Sequence, residues 1–265
     1  MPIAFILAAT DAGPMILNRL DVCATESGYF GVGADLLQTG KFDQHNIDAL
    51  SYLLQLCREH HGDGVVALDV GANIGTHTLA WAKLMKGWGE VIAIEAQERV
   101  YYALCGNICI NNLFNAEAIC AAAGEASGLM NIPELDHEKP ASFGSLELRR
   151  CTDEQIGQTP TKTRRVAMLT IDGIMRGHRV DLIKLDIEGM EVGALEGARK
   201  TIETYRPALF IEWVKCGEAP LREWLAGTGY VIHMLGTNML AVHITDPISP
   251  HVVIRRGDKE KAPQA

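Results

Sequence analysis

The chain has 265 residues, of which 48% are hydrophobic and 22% are charged, and its formal net charge is -9. This composition is typical of a globular protein that buries a core, and the acidic balance argues against a general nucleic-acid-coating role, which needs a basic stripe. The longest apolar run, Ile3 to Ala9, is far shorter than the roughly 20 residues that span a bilayer. No basic segment precedes it, so neither membrane insertion nor a secretory signal is expected.

Seven cysteines are scattered along the chain without CxxC pairs. An odd number in this pattern favours reduced thiols and a cytoplasmic location over a disulfide framework. Cys105 and Cys109 stand four residues apart on a predicted helix. Since no other cysteine or histidine has ligand spacing, we interpret them as small buried apolar residues and not as a metal or redox pair.

Residues 1–62 are interpreted as an N-terminal cap. Short apolar runs at 3–9, 15–17 and 29–32 lie between Gly, Pro and Asp residues, which indicates short strands and turns. A helix that Asp43 can cap follows, and it ends before Gly62. Its apolar residues recur at helical spacing: Ile47, Leu50, Leu54 and Cys57.

From Gly64 onward, strands and helices alternate. The pattern predicts strands at 65–70, 91–94, 116–122, 180–185 and 207–211, and helices at 76–86, 99–111, 191–204 and 220–226. Two last strands, 230–235 and 239–244, are joined by a tight turn and predict an antiparallel hairpin. Residues 124–168 are rich in loops, with room for another hairpin. The alternation predicts an α/β domain over 63–250 with a mostly parallel sheet between helices, and a flexible tail over 251–265.

Acidic residues close the predicted parallel strands: Asp69, Glu95, Asp186 and Glu212. In such folds ligands bind at the carboxyl ends of the strands, where strand order reverses. We therefore expect these four side chains to converge on one edge of the sheet.

A glycine-bearing turn follows the first of these strands, where residues 68–78 read Leu-Asp-Val-Gly-Ala-Asn-Ile-Gly-Thr-His-Thr. Gly71 and Gly75 allow a tight turn and a close approach to a ligand. The spacing is neither G-x-G-x-x-G nor a Walker loop. Because Asp69 precedes the first glycine, the turn suits a ligand with an ammonium group, which S-adenosylmethionine has and NAD lacks.

Two further segments carry acids in unusual places. Glu95 can accept hydrogen bonds from the ribose hydroxyls of an adenosine-containing ligand, which S-adenosylmethionine and NAD predict equally. Residues 183–191 read Ile-Lys-Leu-Asp-Ile-Glu-Gly-Met-Glu, and buried charges of this kind need partners. In the functional interpretation Asp186 or Glu188 takes a proton from a hydroxyl. In the alternative, Glu188 caps the next helix and Asp186 pairs with Lys184 or a backbone amide.

The chain resembles FkbM-type S-adenosylmethionine-dependent methyltransferases. The resemblance rests on residues 69–78, 169–172, 181–191, 194–198 and 206–212, in that order, and covers roughly residues 64–214. It implies a Rossmann-like class I methyltransferase fold, with a mostly parallel seven-stranded sheet that ends in an antiparallel hairpin. It also implies methyl transfer, most often to a hydroxyl oxygen of a sugar, a polyketide or a related metabolite.

The same resemblance implies the cofactor-binding residues. Asp69, Gly71, Asn73 and Gly75 would surround the methionine part of S-adenosylmethionine, and Glu95 would bind the ribose. Three more residues complete the expected set. Ile74 and Ala96 are sequence neighbours of these positions, and Asp186 ends a later predicted strand.

A methyl donor of this kind needs only alignment and removal of the hydroxyl proton. The candidate bases are Glu188, Asp186 and Glu212, with His233 or His243 as alternatives. Asp186 and Glu212 end neighbouring strands and are also candidate ligands of a divalent cation such as Mg²⁺. Two other features are candidates for the walls of the substrate cavity: Trp213, and a loop with Ser142, Gly144 and Ser145.

Two other functional classes stay open at this point. One is a nicotinamide-dependent oxidoreductase, which the absent third glycine of the dinucleotide motif disfavours; the other is a non-catalytic cofactor-binding homologue. A nucleic-acid acceptor is not expected, because the basic pairs Arg149-Arg150 and Arg164-Arg165 are too few. The expected partner is a small-molecule hydroxyl acceptor, and the chain is a candidate homodimer.

Overall fold

The structure is a computed structural model that describes residues 3–25, 28–149 and 156–252. Its strands are β1 (Phe5–Thr10), β2 (Gly13–Asn18), β3 (Cys23–Thr25), β4 (Gly28–Phe30), β5 (Val65–Val70), β6 (Gly89–Glu95), β7 (Ala116–Cys120), β8 (Ala122–Ala123), β9 (Gly128–Glu134), β10 (Lys162–Leu169), β11 (Leu182–Leu185), β12 (Ala208–Glu212), β13 (Tyr230–Leu235) and β14 (Asn238–His243). Its helices are α1 (Val32–Thr39), α2 (Gln44–His61), α3 (Thr76–Leu84), α4 (Glu98–Ile110), α5 (Ile171–Met175), α6 (Glu191–Glu196), α7 (Arg199–Tyr205) and α8 (Glu218–Leu225). A short 3-10 helix follows at Ser249–His251.

Seven strands form the central sheet, in the order β13-β14-β12-β11-β5-β6-β7. The pairs from β12 to β7 are parallel, whereas β14 runs antiparallel to both of its neighbours. Strand order reverses between β5 and β11, so a crevice opens there at the carboxyl ends. The predicted Rossmann-like α/β fold with a C-terminal antiparallel hairpin is therefore confirmed.

Two hydrophobic cores cover the two faces of the sheet. All six residues of β5 are buried, as the continuous apolar run predicts. Val65 and Ala67 point into a core shared with α2, α3 and α4, whereas Val66, Leu68 and Val70 point into a core shared with α6, α7 and α8. The period of two along a strand thus divides β5 between both helical layers.

The N-terminal segment packs on the first of these cores. Met15 and Leu17 of β2 are fully buried in it, together with residues of α2, α3 and α4. The run at 29–32, predicted as strand, is strand only to Phe30, and α1 begins at Val32. A short apolar run does not distinguish strand from helix.

The division into 1–62 and 63–250 stays a prediction. The predicted tail lies mostly at 253–265, outside the described residues.

Asp43 does not cap α2 through its side chain, which corrects the sequence expectation. It occupies the N-cap position with φ +50°, and no hydrogen bond joins its carboxylate to a backbone amide of the helix. Its Oδ1 accepts from the Asn46 side chain at 2.8 Å, and its Oδ2 lies 3.4 Å from Nε2 of His77. The side chain therefore turns toward α3.

Two other predicted elements are divided in the structure. The predicted strand at 116–122 ends at Cys120, and its last residues belong to β8, which pairs with β10 in a separate sheet. In that sheet β9 and β10 form an antiparallel pair, as the room for a hairpin within 124–168 suggested. The helix at 191–204 is broken into α6 and α7 at Gly197, where a Cβ would overlap the backbone of Gly124. None of the described helices is long and apolar enough to cross a membrane. The six described cysteines are free of disulfides.

Candidate functional site

A cleft of about 270 Å³ opens at the carboxyl ends of β5, β6, β11 and β12. Most of the residues expected at the site line it: Gly71, Asn73, Glu95, Ala96, Asp186, Glu188 and Glu212. Three do not: Asp69, Ile74 and Gly75. The strand-end acids therefore converge on one edge of the sheet, although Asp69 lies beneath the surface of the cleft.

The turn after β5 needs glycine at its first position. Gly71 has φ +79°, and a Cβ there would overlap the carbonyl oxygen of Asp186 and lie 2.8 Å from its carbonyl carbon. The amides of Gly71 and Ala72 both donate to the carbonyl of Ile94, at 2.9 and 3.0 Å. The turn thus passes between β6 and β11 with backbone contacts on both sides, which only a residue without a side chain permits.

Glu95 is held at the cleft by two backbone amides. Asn73 N donates to Oε2 at 2.9 Å and Gln97 N donates to Oε1 at 2.7 Å. Burial raises the pKa of Glu95 to about 7, because these hydrogen bonds offset the lost hydration only in part. Each carboxylate oxygen keeps acceptor capacity toward the cleft. Such a carboxyl group suits the hydroxyls of a ribose.

Asp69 is fully buried and has partners within the protein. Its Oδ2 accepts from Thr78 Oγ1 at 2.6 Å, and its Oδ1 lies 3.3 Å from Nζ of Lys184. Lys184 is equally close, at 3.3 Å, to Asp186. Burial acts to raise the pKa of Asp69, but the Lys184 ammonium, His77 and the Thr78 hydroxyl outweigh it and lower the pKa. Its expected contact with the methionine part of the cofactor stays a prediction.

Three carboxylates form an acidic cluster at the far end of the cleft. Asp186, Glu188 and Glu212 each offer an oxygen atom within 4.8 Å of the others. Burial, then the charges of Glu212 and Asp186, raise the pKa of Glu188 to about 9. Burial, then Asp186 and Glu191, raise the pKa of Glu212 to about 7. The cluster therefore holds a proton at neutral pH.

The turn that presents Glu188 is tied by Glu191. The Glu191 carboxylate is buried and accepts from the amides of Ile187 at 3.0 Å and Gly189 at 3.1 Å. Glu188 itself has φ +52° and makes no cap to α6. The alternative interpretation of this segment, in which Asp186 pairs with Lys184 and Glu188 caps the next helix, is therefore half right. Asp186 does pair with Lys184, but the amides of the turn are bound by Glu191 and not by Glu188.

The histidines proposed as alternative bases lie elsewhere. His233 and His243 are on β13 and β14 and do not line the cleft; the His243 ring is 2.8 Å from the Thr245 hydroxyl. The cleft histidine among the described residues is His77, which belongs to the glycine-turn segment and which no sequence motif marks as functional. It is buried and lies 3.4 Å from Asp43.

Of the other residues that the sequence singled out, some line the cleft and others do not. The Trp213 indole donates to the carbonyl of Gly236 at 3.2 Å and does not line the cleft. Cys105 and Cys109 belong to no metal-holding group among the described residues. Cys105 is only partly buried and Cys109 is exposed, which corrects the interpretation of both as buried residues. The predicted loop does line the cleft, with these members: Ser142, Gly144, Ser145, Leu146 and Leu148.

Sequence patterns missed the N-terminal side of the cleft. Five of its lining residues come from that segment: Phe30, Gly31, Val32, Asp35 and Phe42. Asn107 was missed as well, although it is fully buried and donates to the carbonyls of Ile74 at 2.8 Å and Ile16 at 3.0 Å. No local pattern marks these residues, because their partners are distant in the chain.

One arginine of each basic pair has acidic partners. Arg149 forms hydrogen bonds to both carboxylate oxygens of Glu125, at 2.8 and 3.0 Å. Arg164 pairs with Glu134 and with Glu98. Arg150 lies outside the described residues. Arg149 and Arg164 are thus each paired with acidic side chains.

The sequence model of the methyltransferase FkbM domain matches residues 69–232, more than half of the chain. A search of curated proteins finds no match. Among solved structures, methyltransferase FkbM from Methylobacillus flagellatus KT is similar, with 17% identity and a TM-score of 0.48, and the alignment covers 80% of this chain and 60% of that one.

Two other solved structures are similar at lower identity. A precorrin-6y C5,15-methyltransferase from Geobacter metallireducens GS-15 has 13% identity and a TM-score of 0.44, over 76% of this chain and 88% of that one. The Pyrococcus abyssi tRNA (uracil-54, C5)-methyltransferase, in complex with S-adenosyl-L-homocysteine, has 12% identity and a TM-score of 0.44, over 91% of this chain and 44% of that one.

Since residues 69–232 contain both the glycine turn and the acidic cluster, and match the family model throughout, the chain belongs to the methyltransferase FkbM family.

Proposed function

We propose that this chain is an S-adenosylmethionine-dependent methyltransferase that methylates a hydroxyl of a small molecule such as a sugar, a polyketide or a related metabolite. The observation that carries the proposal is a single cleft lined by the glycine turn, Glu95 and the acidic cluster. One end of the cleft has the groups expected for a nucleoside, and the other end has carboxylates able to take a proton.

The residues present fit the cofactor. Gly71 and Asn73 bring backbone to the cleft wall, and Glu95 faces it with acceptor capacity beyond its two amide bonds. With Ala96, these residues would hold S-adenosylmethionine. When bound, the cofactor supplies a methyl group already activated by a sulfonium. Asp69 supports this end of the site from below, because it neutralises the buried Lys184.

The acidic cluster would remove the acceptor proton. A general base works best when its pKa lies near the operating pH, and the pKa of Glu212 lies at about 7. Glu188, whose pKa lies at about 9, stays protonated at neutral pH and orients the acceptor oxygen by a hydrogen bond. Asp186 keeps Lys184 close at 3.3 Å. The three residues thus act together as a proton-accepting group.

The same cluster suits a divalent cation, and Mg²⁺ at this place stays a prediction. Magnesium is bound through oxygen ligands, usually one or two carboxylates and several waters. Glu188 is a third candidate ligand beside Asp186 and Glu212, because its carboxylate has an oxygen within 4.8 Å of theirs. Methyl transfer after exhaustive chelation and metal-free dialysis tests this prediction, since unchanged turnover would exclude a required cation.

The acceptor is proposed to be a small molecule because the cleft is acidic. Asp35, Glu95, Asp186 and Glu212 line it against a single lysine, Lys184, and a phosphate backbone would be repelled by a surface with this excess of carboxylates. Arg149 and Arg164 are both paired with acids, which leaves them less available to a phosphate. A cytoplasmic location and a homodimer stay predictions.

Calorimetric titration with S-adenosylhomocysteine, with NAD in a parallel experiment, tests the cofactor. Micromolar binding of S-adenosylhomocysteine without NAD binding supports the proposal. Binding of NAD alone would make the oxidoreductase the better explanation. Binding of S-adenosylhomocysteine without methyl transfer to any hydroxylated acceptor would favour a non-catalytic homologue.

Glu188→Ala tests the assignment of the acidic cluster, because alanine removes the hydrogen-bond donor that a glutamine would keep. We expect the affinity for S-adenosylhomocysteine to stay nearly unchanged while turnover falls, because the residue lies at the acceptor end of the cleft. Turnover is measured with a labelled methyl donor and a panel of hydroxylated acceptors. Equal losses of affinity and turnover would place Glu188 among the cofactor-binding residues.

A further inference from the structure

Asp21 is a buried carboxylate that belongs to no sequence motif. Its residue is 4% exposed and lies between β2 and β3. Its Oδ2 accepts from the amide of Gly33 at 3.0 Å, and its Oδ1 accepts from the amide of Phe143 at 3.0 Å. The two amides belong to segments that are far apart in the chain, and a single side chain joins them.

Both of these segments are walls of the cleft. Gly31 and Val32 line it at the start of α1, and Gly144 and Ser145 line it next to Phe143. Neither segment lies at the end of a strand of the central sheet. Their positions over the cleft therefore depend on what holds them to each other.

Backbone contacts around Asp21 support the same connection. The amide of Ala34 donates to the carbonyl of Asp21 at 3.0 Å, and the amide of Val22 donates to the carbonyl of Ala141 at 2.9 Å. A Cβ on Gly31 would overlap the Asp21 carbonyl, and a Cβ on Gly33 would lie 2.8 Å from Cβ of Asp21. The glycines let α1 approach Asp21 closely enough for the carboxylate to reach its amide.

The hydrogen bonds continue from this wall to the cofactor end of the cleft. The carbonyl of Phe143 accepts from Nε2 of Gln97 at 2.7 Å, and the amide of Gln97 donates to Oε1 of Glu95 at 2.7 Å. An unbroken series of contacts therefore joins Asp21 to the carboxylate proposed to bind the ribose.

We propose that Asp21 is a positioning residue that holds the start of α1 and the segment 142–148 together as one wall of the cofactor cleft, so that cofactor affinity depends on it. This inference rests on the proposed function. If the two segments separate, fewer molecules have a complete cleft, and the apparent dissociation constant rises by the inverse of the competent fraction.

Asp21→Asn tests the proposal with a side chain of nearly the same size. Its NH₂ group cannot accept a hydrogen bond, so one of the two amides faces a donor and is left unsatisfied. We expect the dissociation constant of S-adenosylhomocysteine to rise at least fivefold in calorimetry. Hydrogen exchange is expected to accelerate in peptides that cover 31–36 and 142–148.

Asp181→Asn is the control at a buried carboxylate outside the cleft, one that also pairs with Arg179. Asp181 is also buried, at 9% exposure, and accepts from the amide of Val66 at 2.9 Å. It lies at the opposite edge of the sheet, near the start of β5 and β11. We expect this variant to lower the melting temperature but to leave the dissociation constant within twofold, with unchanged exchange in both segments.

Three results would overturn the proposal. One is wild-type affinity in Asp21→Asn, the second is unchanged exchange in both segments, and the third is an equal loss of affinity in Asp181→Asn. If Asp21→Asn does not fold, Gln97→Ala is measured by exchange instead. It removes the bond to the Phe143 carbonyl and is expected to loosen 142–148 but not 31–36; unchanged exchange in 142–148 would overturn the proposed series. Wild-type protein that binds no S-adenosylhomocysteine would refute the proposed function separately.

Discussion

Gly71→Ala is the sharpest test of how the site is built. Gly71 has φ +79°, and an added Cβ would lie 2.8 Å from the carbonyl carbon of Asp186 and closer still to its oxygen. The obstacle is the backbone of the residue that follows the neighbouring strand β11, and backbone cannot rotate away as a side chain can. The substitution therefore requires β5 and β11 to separate at the edge where the cleft opens.

The magnitude follows from two contributions. A left-handed conformation costs a residue with a Cβ about 1–2 kcal/mol. Forcing extra atoms into a packed region typically costs about 1–3 kcal/mol. We therefore expect Gly71→Ala to lower the free energy of unfolding by about 2–5 kcal/mol, which is a large share of the roughly 5–15 kcal/mol that stabilises a domain.

Gly87→Ala separates these contributions. Gly87 has φ +85°, close to that of Gly71, but a Cβ there would meet no atom within 4 Å. This variant should lose only the conformational part, about 1–2 kcal/mol. Urea unfolding of both variants gives the two free energies, and a calorimetric titration with S-adenosylhomocysteine shows whether the cleft is damaged.

The expected result is a larger loss in Gly71→Ala, by about 1–3 kcal/mol, together with weaker binding that Gly87→Ala does not show. Equal losses of stability in the two variants would refute the reasoning, because they would mean that the Asp186 backbone yields without cost. Unchanged binding in Gly71→Ala would show that the turn does not shape the cofactor end of the cleft.

Further predictions concern buried charges. Asp69→Ala and Glu95→Ala should each weaken binding of S-adenosylhomocysteine by about 1–3 kcal/mol in calorimetry, since each leaves buried polar groups unpaired; an unchanged dissociation constant would contradict this. Lys184→Met should lower the free energy of unfolding by about 3–5 kcal/mol, because Asp69 is left buried and uncompensated. Burial raises the pKa of Asp21 from 3.8 to about 6. The native state therefore binds this proton more tightly than the unfolded chain does. The contribution of protonated Asp21 to the free energy of unfolding is complete below pH 4 and is lost as the pH rises through 6. The urea stability of wild type relative to Asp21→Asn should fall by about 3 kcal/mol over that range, and a constant difference would argue against it.

Sequence alone determined the order and type of the main elements, because hydrophobic periodicity is a local property of each strand and helix. The buried run of β5 and the terminal pair β13 and β14 are examples. Sequence also determined that the strand-end acids meet, since parallel strands end at one edge of a sheet. Where the local pattern was ambiguous it failed, as at residues 29–32, where a short apolar run is divided between β4 and α1.

Only the tertiary structure decided which partner each polar group has. Asp69 and Lys184 are neighbours because β5 and β11 pair in the sheet, although more than a hundred residues separate them. The same is true of Asp21 and Phe143, whose hydrogen bond places the N-terminal segment against the cleft. A side chain can find such a partner only after loops of this length have closed, so no local pattern encodes the contact. Short sequence motifs therefore predict the reactive groups at the strand ends, whereas the walls of the cleft around them depend on long-range packing.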